Sequence, residues 1–313
     1  MAASTLIIYN PIAGRARVKA MWPDISSALS NAGIKFDAVA TTAPRHATEL
    51  AGSALGKYTA VVGIGGDGTM SEIANGLIQA SAENETMPFG IVPVGNGDDF
   101  VKVLPPQAPI GSSGYHWRAA VQKIAAGHSQ LYDLGRMSTD QIATKTYRYF
   151  LNIVDVGFGA HTVANFSSVP KFLSGNAAYL AAVLKTMIRY PVLKMRIQVD
   201  DALVFEQLTT MTAIGNGRCF GGGFWVCPKA VPDDGMLDVM IASRITRLNI
   251  LRLLPKMKRG THVDDALIKM SRARRVVLES EAPFLIEADG EMPFAPARRL
   301  SVDVLAGKLR LVV

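Results

Sequence analysis

An alternation in the first hundred residues limits the fold more than any other feature. Four short apolar or β-branched runs, TLIIY from Thr5, KFDAVAT from Lys35, YTAVVGI from Tyr58 and PFGIVPV from Pro88, are separated by stretches of helical spacing. Those stretches run from Arg15 to Asn31, from Ala47 to Leu55 and from Ser71 to Ala80. Strands that alternate with helices need crossover connections, which yield a mostly parallel sheet covered by helices on both faces. In such a sheet every turn leaving a strand's carboxyl end falls on one edge, where ligands bind. The turns here are NPIAG, the pair Thr41 and Thr42, GGDGT, and GNGDDF. All four are small, polar or glycine-rich, and together they predict a cleft.

After Gly127 the texture changes to short runs of period two separated by Gly, Pro and Asp, such as YRYFLNIVDVGFG, LKMRIQVD, GMLDVMIAS and RLSVDVL. Alternation of that kind predicts an antiparallel sheet or sandwich. Two helices interrupt it, near Asn176–Tyr190 and near Thr246–Lys258. A chain of 313 residues is long for one core. The fold class expected is therefore α/β: a Rossmann-like domain with a parallel sheet over residues 1–130, then a mostly antiparallel β-sandwich domain over residues 131–313. The last strand is the one element that could return to the first domain.

The segment VVGIGGDGTM spells Gly-x-Gly-x-x-Gly with Gly63, Gly65 and Gly68. A glycine turn opening a helix offers unpaired backbone N–H groups and a positive dipole end to a phosphate. It does not fit the dinucleotide fingerprint, which follows the first strand and has an acidic residue about 20 positions on. Nor is it a P-loop, because Thr69 stands where lysine belongs. Its unusual member is Asp67. A carboxylate beside a phosphate suits a site where a metal ion or a ribose hydroxyl stands between the two. The bland alternative is a structural strand-to-helix turn without a ligand.

The formal charge of +7 favours anionic partners. Cys219 and Cys227 suggest a reduced, cytoplasmic protein. The start, MAASTLIIYNPIAG, is expected to be a strand and not a leader, and no apolar run reaches the roughly 20 residues of a membrane span. The five histidines are scattered without ligand spacing. Ten basic residues lie between Arg244 and Arg275, interleaved with Leu248, Ile250, Leu251 and Leu254. They are read either as a solvated face or as a docking surface for an anionic membrane. Nucleic acid is not expected as a partner, since no aromatic platform accompanies the charge.

NPIAG, GGDGT, PVGNGDDF, GGGFWVCPKAVPDDGMLDVMI and EADGE follow one another in the order found in diacylglycerol-kinase-type lipid kinases. The chain resembles the soluble bacterial branch of that family, related to sphingosine kinases and more distantly to NAD kinases, over nearly its whole length. The resemblance implies ATP bound between two domains, Mg²⁺, a lipid alcohol as acceptor, peripheral contact with an anionic membrane and a place in phospholipid biosynthesis. Carried over by position, Asn10, Thr41, Gly65, Gly66, Asp67, Gly68, Thr69, Gly95 and Asn96 would hold the nucleotide. Asp234 with the carbonyls of Val231 and Met236 would form a metal site. Asp289 and Glu291 would be the catalytic carboxylates, joined by Asp67, with Glu291 the expected proton acceptor. Where the family has Gly-Thr-x-Asn-Asp-Phe, this chain has Gly95-Asn96-Gly97-Asp98-Asp99-Phe100, so a charge replaces an amide at Asp98.

On local grounds the EADGE segment also reads as a solvated hairpin turn, and VPDDGMLDV as a β-turn. The acceptor pocket is expected around Phe158–Tyr179, with Phe166, Val169, Phe172 and Leu173. The alternatives to a lipid kinase are a kinase of a soluble metabolite, as in the NAD-kinase branch, and a non-catalytic nucleotide or lipid binder. The sequence does not decide the oligomeric state, and a homodimer is left open.

Overall fold

A computed structural model describes all residues except 1–3, 106, 108, 111–115, 142–146, 167, 170–174 and 191. The chain divides into two compact units, Met1–Leu134 with Leu305–Val313, and Gly135–Val304.

In the first unit the order is β1 (Thr5–Tyr9), α1 (Ala13–Asn31), β2 (Phe36–Ala40), α2 (His46–Gly52), β3 (Ala60–Gly65), α3 (Asp67–Ala80), β4 (Phe89–Pro93) and α4 (Trp117–Ala126). The strands pair in parallel in the order β2-β1-β3-β4. Alternate residues face opposite sides. Ile7, Val62, Ile64 and Val92 share one core with Val18, Ile25 and Leu29 of α1 and Trp117 and Val121 of α4. On the other side, a Cβ at Gly63 would stand 2.6 Å from Ile73 of α3, and one at Gly76 would stand 2.2 Å from the Thr48 carbonyl of α2. Two of the glycines in this region therefore serve packing and not a ligand.

Helix α4 is absent from the sequence expectation. It is only ten residues long, follows a stretch without periodicity, and is closed by Gly127 at φ 70°.

The second unit is antiparallel. It receives the end of β5 (Ser129–Thr139), then β6 (Arg148–Phe150), β7 (Ile153–Gly157), α5 (Phe158–Phe166), α6 (Gly175–Ile188), β8 (Leu193–Val199), β9 (Ala202–Gly215), β10 (Leu237–Ser243), α7 (Arg247–Lys258), β11 (Ile268–Ala273), β12 (Arg275–Phe284), β13 (Ile286–Ala288) and the start of β14 (Ala297–Val312). The long β9 pairs with β8 through its first half and with β7 and β10 through its second. The inner residues of β7, β8, β10, β12 and β14 form one core. A second core lies under α6 and α7.

The single strand expected over YRYFLNIVDVGFG is instead two strands and the start of α5. The break at Leu151–Asn152 has a physical cause: the backbone N–H groups of Leu151, Asn152 and Ile153 point at the Asp289 carboxylate. Gly157, at φ 103°, then turns the chain into α5. The basic run also conceals a strand, β11, which pairs with β10.

Candidate functional site

The register of the parallel sheet aligns its carboxyl ends. Tyr9 lies opposite Ala40 and Ile64, and Gly65 lies opposite Pro93. Asn10, Thr41, Gly65 and Gly95 thus share one edge. Asn10 Nδ2 donates to Thr69 Oγ1 at 3.2 Å, and Asn10 Oδ1 accepts from Ile12 N–H at 3.2 Å. Thr41 N–H donates to the Tyr9 carbonyl at 2.9 Å. Helix α3 begins at Gly66 with no side chain capping its first turn, so the N–H groups there are available to an anion.

The third and fourth turns approach backbone to backbone. A Cβ at Gly95 would stand 2.5 Å from Gly66 Cα, so the fourth turn has no room for a side chain at the contact. Arg17, which sequence reasoning does not single out, joins the first turn to the fourth. Its Nε donates to the Gly14 carbonyl at 3.1 Å and its Nη2 to the Gly95 carbonyl and to Asn96 Oδ1. The available signal is a pair of arginines, Arg15 and Arg17, directly after NPIAG. Only the backbone separates them: Arg15 has positive φ and Arg17 does not.

Asp67, expected to lie beside a metal ion or a ribose, is engaged by backbone of the fourth turn. Its carboxylate turns toward the fourth turn, accepting from Asp99 N–H and Phe100 N–H at 3.0 Å each. Desolvation first, then the neighbouring Asp99 charge, pushes its pKa up to about 7, against the pull of those two bonds. Asp98, at φ 46°, bonds back to Gly95 N–H at 2.8 Å. Desolvation raises its pKa to about 6, while the Gly95 bond and Arg17 oppose the rise. The charge at Asp98 is thus engaged within its own turn. Asn96 is exposed at the tip.

In the second unit EADGE forms the expected two-residue hairpin. Asp289 and Gly290 have φ of 51° and 89°, and Ala288 and Glu291 exchange two 2.9 Å backbone bonds. Asp289, however, is not solvated. It is buried, and its oxygens accept from Leu151, Asn152 and Ile153 N–H groups at 2.8, 3.0 and 3.3 Å. It is a clip that fixes the hairpin to the break between β6 and β7. Glu291, at the other end of the turn, is exposed.

Beneath the hairpin lies a carboxyl pair that sequence reasoning misses. Glu287 and Asp155 are directly opposite on β13 and β7, and both are buried. Burial pushes both pKa values well up, and Asp155 adds to the rise at Glu287. Glu287 Oε1 accepts from Gly290 N–H at 2.5 Å, so this pair also supports the turn that carries Glu291.

Val231, Asp234 and Met236 supply the hard oxygen donors that Mg²⁺ prefers. Asp234 is nevertheless committed: Oδ1 accepts from Met236 N–H at 3.0 Å and Oδ2 pairs with Arg272. Arg272 also lies 3.6 Å from Asp238, its cross-strand partner on β10. A guanidinium already provides the positive charge that an ion would bring, so these residues do not fit a divalent metal as arranged. Among the described residues no cluster of three or more His, Cys, Asp or Glu side chains could hold one.

The second unit also holds an apolar cavity of about 60 Å³. Its walls include Phe158 at the start of α5, Val183 on α6, Met211 and Met240 on the sheet, and Ile250 and Leu253 on α7. This cavity shares Phe158 with the stretch expected to line the acceptor pocket. Phe166 is exposed and neither it nor Val169 lines the cavity, and Phe172 and Leu173 lie outside the described residues. Helix α7, whose basic residues are read from the sequence as a solvated face or a docking surface, also supplies a wall.

Comparison with known proteins agrees with this two-part arrangement. Residues 4–137 match the diacylglycerol kinase catalytic domain, and residues 152–313 match the YegS C-terminal NAD kinase beta sandwich-like domain. A diacylglycerol kinase of Mycobacterium tuberculosis is 30% identical over 90% of this chain and 86% of its own length. One from Staphylococcus saprophyticus is 28% identical over 91% and 88%. A crystal structure of a diacylglycerol kinase from Bacillus anthracis covers 99% of this chain and 96% of its own at a TM-score of 0.69 and 19% identity. An NAD kinase from Archaeoglobus fulgidus shares the fold at a TM-score of 0.52 and 12% identity over 99% and 93% of the two chains. With matches over both halves and 30% identity over nearly its full length, the chain belongs to the diacylglycerol kinase family and is a phosphotransferase with an alcohol acceptor.

Proposed function

We propose that this kinase transfers the γ-phosphoryl group of ATP to a hydroxyl of a diacylglycerol-like lipid. The observation that supports a lipid over a polar metabolite is the cavity in the second unit, whose walls are almost wholly apolar. A dinucleotide acceptor would leave its phosphates and riboses without partners there.

Phosphoryl transfer asks mainly for positioning and charge neutralisation. In this reading the uncapped first turn of α3 and the glycine turns bind the phosphates through backbone N–H groups, with Asn10 and Thr69 beside them. Arg17 holds the first and fourth turns together. Asp67 fixes the fourth turn against α3. Mg²⁺ bound together with the nucleotide would supply neutralisation of phosphate charge. Glu291 accepts the proton of the attacking lipid hydroxyl, on a hairpin held in place by Asp289 and Glu287. A peripheral contact with an anionic membrane brings the enzyme to its acceptor.

The test is transfer of label from ATP to a panel of lipids in mixed micelles, with NAD as a parallel acceptor and Glu291→Gln as the paired variant. Label in a lipid, reduced about 10²–10⁴-fold in the variant, is the expected result. Label in NAD and in no lipid would overturn the acceptor assignment.

A further inference from the structure

The two helices that wall the apolar cavity carry a second apolar surface on their outer sides. On α6, Ala182, Val183, Thr186 and Met187 are buried, while Leu180, Leu184 and Ile188, each four residues apart, are exposed. Ile188 is 71% exposed, and Leu248, in the first turn of α7, is 79% exposed. The helix ends are tied together: Arg247 donates to the Ile188 carbonyl at 2.7 Å and Tyr190 to the Ile245 carbonyl at 3.0 Å. A helix that is apolar on both its buried and its solvent side lacks a partner, and contiguous exposed apolar surface marks an interaction site.

The two chain segments that carry this surface have charge of one sign. No carboxylate occurs from residue 175 through 199 or from 244 through 263. Some of the basic residues in these stretches have a carboxylate partner, as Lys194 has in Glu206 at 3.1 Å. Arg252 and Lys256 turn to Asp265, at 3.0 and 2.8 Å. Lys185, Arg189, Arg244 and Arg247 are exposed, and no carboxylate pairs with any of them among the described residues.

We propose that the outer faces of α6 and α7 form one interfacial face that lays this unit on an anionic lipid bilayer, with Leu180, Leu184, Ile188, Leu248 and Leu251 entering the headgroup boundary. The inference rests on the lipid acceptor proposed above. A surface of exposed leucines and isoleucine rimmed by cations is the chemistry of an interfacial helix on anionic lipid. A second copy of the chain is a poor occupant, because a two-fold contact would bring the cations of one face against the same cations of the other. The inner faces of the same helices line the cavity, so docking would set the cavity wall at the bilayer surface from which an acceptor comes.

The test is co-sedimentation of the full chain with vesicles of phosphatidylglycerol and phosphatidylcholine, and with phosphatidylcholine alone. The wild type is expected to pellet with the anionic vesicles and to be released by salt. Leu184→Glu with Ile188→Glu, and separately Arg244→Gln with Arg247→Gln, should each lower partitioning by at least about tenfold, at roughly 1 kcal/mol per basic residue. Leu203→Glu, exposed on β9 and outside this face, should not. Leu184→Ser with Ile188→Ser provides a milder pair should the glutamates disturb folding, and melting is followed for every variant. Unchanged vesicle binding in both sets overturns the face. So does a wild-type dimer in solution that Ile188→Glu dissociates. Phosphorylation of lipid in neutral detergent micelles separates the two claims: label in micelles with unchanged vesicle binding sinks the face alone, and lost vesicle binding with no lipid labelled sinks the acceptor alone.

Discussion

Both units use an aspartate to hold two loops together, but they do so in different surroundings. Asp289 accepts three N–H groups in the interior of the second unit and holds a hairpin to a strand break. Asp67 accepts two, beside Asp98 and Asp99, and holds two glycine turns together. Desolvation and the neighbouring acidic charges raise the proton affinity of Asp67. An acidic side chain fixes the geometry at both places, and in the first unit that geometry titrates near neutral pH.

The largest test of this contrast is Asp289→Ala. Three buried donors would lose their acceptor, which should cost at least about 3 kcal/mol in urea unfolding. Asp289→Asn, which keeps an acceptor oxygen, should fall between the two. A loss under about 1 kcal/mol for alanine, no more than one ordinary hydrogen bond, would break the comparison.

Gly95→Ala comes next. Its Cβ would meet Gly66 Cα at 2.5 Å and Asp98 Oδ1 at 2.4 Å. Overpacking of this kind costs roughly 1–3 kcal/mol, and ATP affinity by calorimetry should fall about tenfold or more as the turns separate. Unaltered affinity would show that nucleotide does not depend on this contact.

Asp67 and Asp98 supply the pH test. Both have folded pKa values above the ordinary carboxylate value, about 7 and about 6. The folded state therefore holds more protons than the unfolded state between about pH 4 and 7. The stability they contribute is fully present below the unfolded pKa and is lost as pH rises through the folded one. Asp67→Asn should flatten that decline in melting temperature over the same window; an unchanged slope would remove Asp67 from the account. The smallest expected effect is at Arg272→Gln, about 0.5–1 kcal/mol for a partly exposed pair. Freed from the guanidinium, Asp234 should then make melting respond to Mg²⁺, whereas the wild type should respond little without nucleotide.

The fold class was legible because its signals are local. The strands of the parallel sheet are apolar or β-branched runs ended by glycine or polar turns, and antiparallel strands such as β8 alternate. What stayed hidden depends on tertiary partners. Helix α4 is short, and its buried side is set by packing in the core of the first unit. The break between β6 and β7 is imposed by Asp289, 138 positions from Leu151 in sequence. The turns that would face nucleotide could be named from their order along the chain, but not the direction in which Asp67 points. Spacing likewise shows that α7 has apolar residues such as Ile250 and Leu253, but not that they wall a cavity.

The last strand has a consequence for how the chain is made. Leu305–Val313 completes the first unit, pairing Leu311 with Phe89 and bonding Lys308 to Thr86. Those residues leave the ribosome only after the roughly 170 that separate Leu134 from Leu305. At ordinary elongation speeds the first unit therefore waits roughly 10–30 s with one flank of β4 uncovered. During synthesis that flank is a bare strand edge, which is the kind of surface that recruits chaperones or pairs with a neighbouring nascent chain.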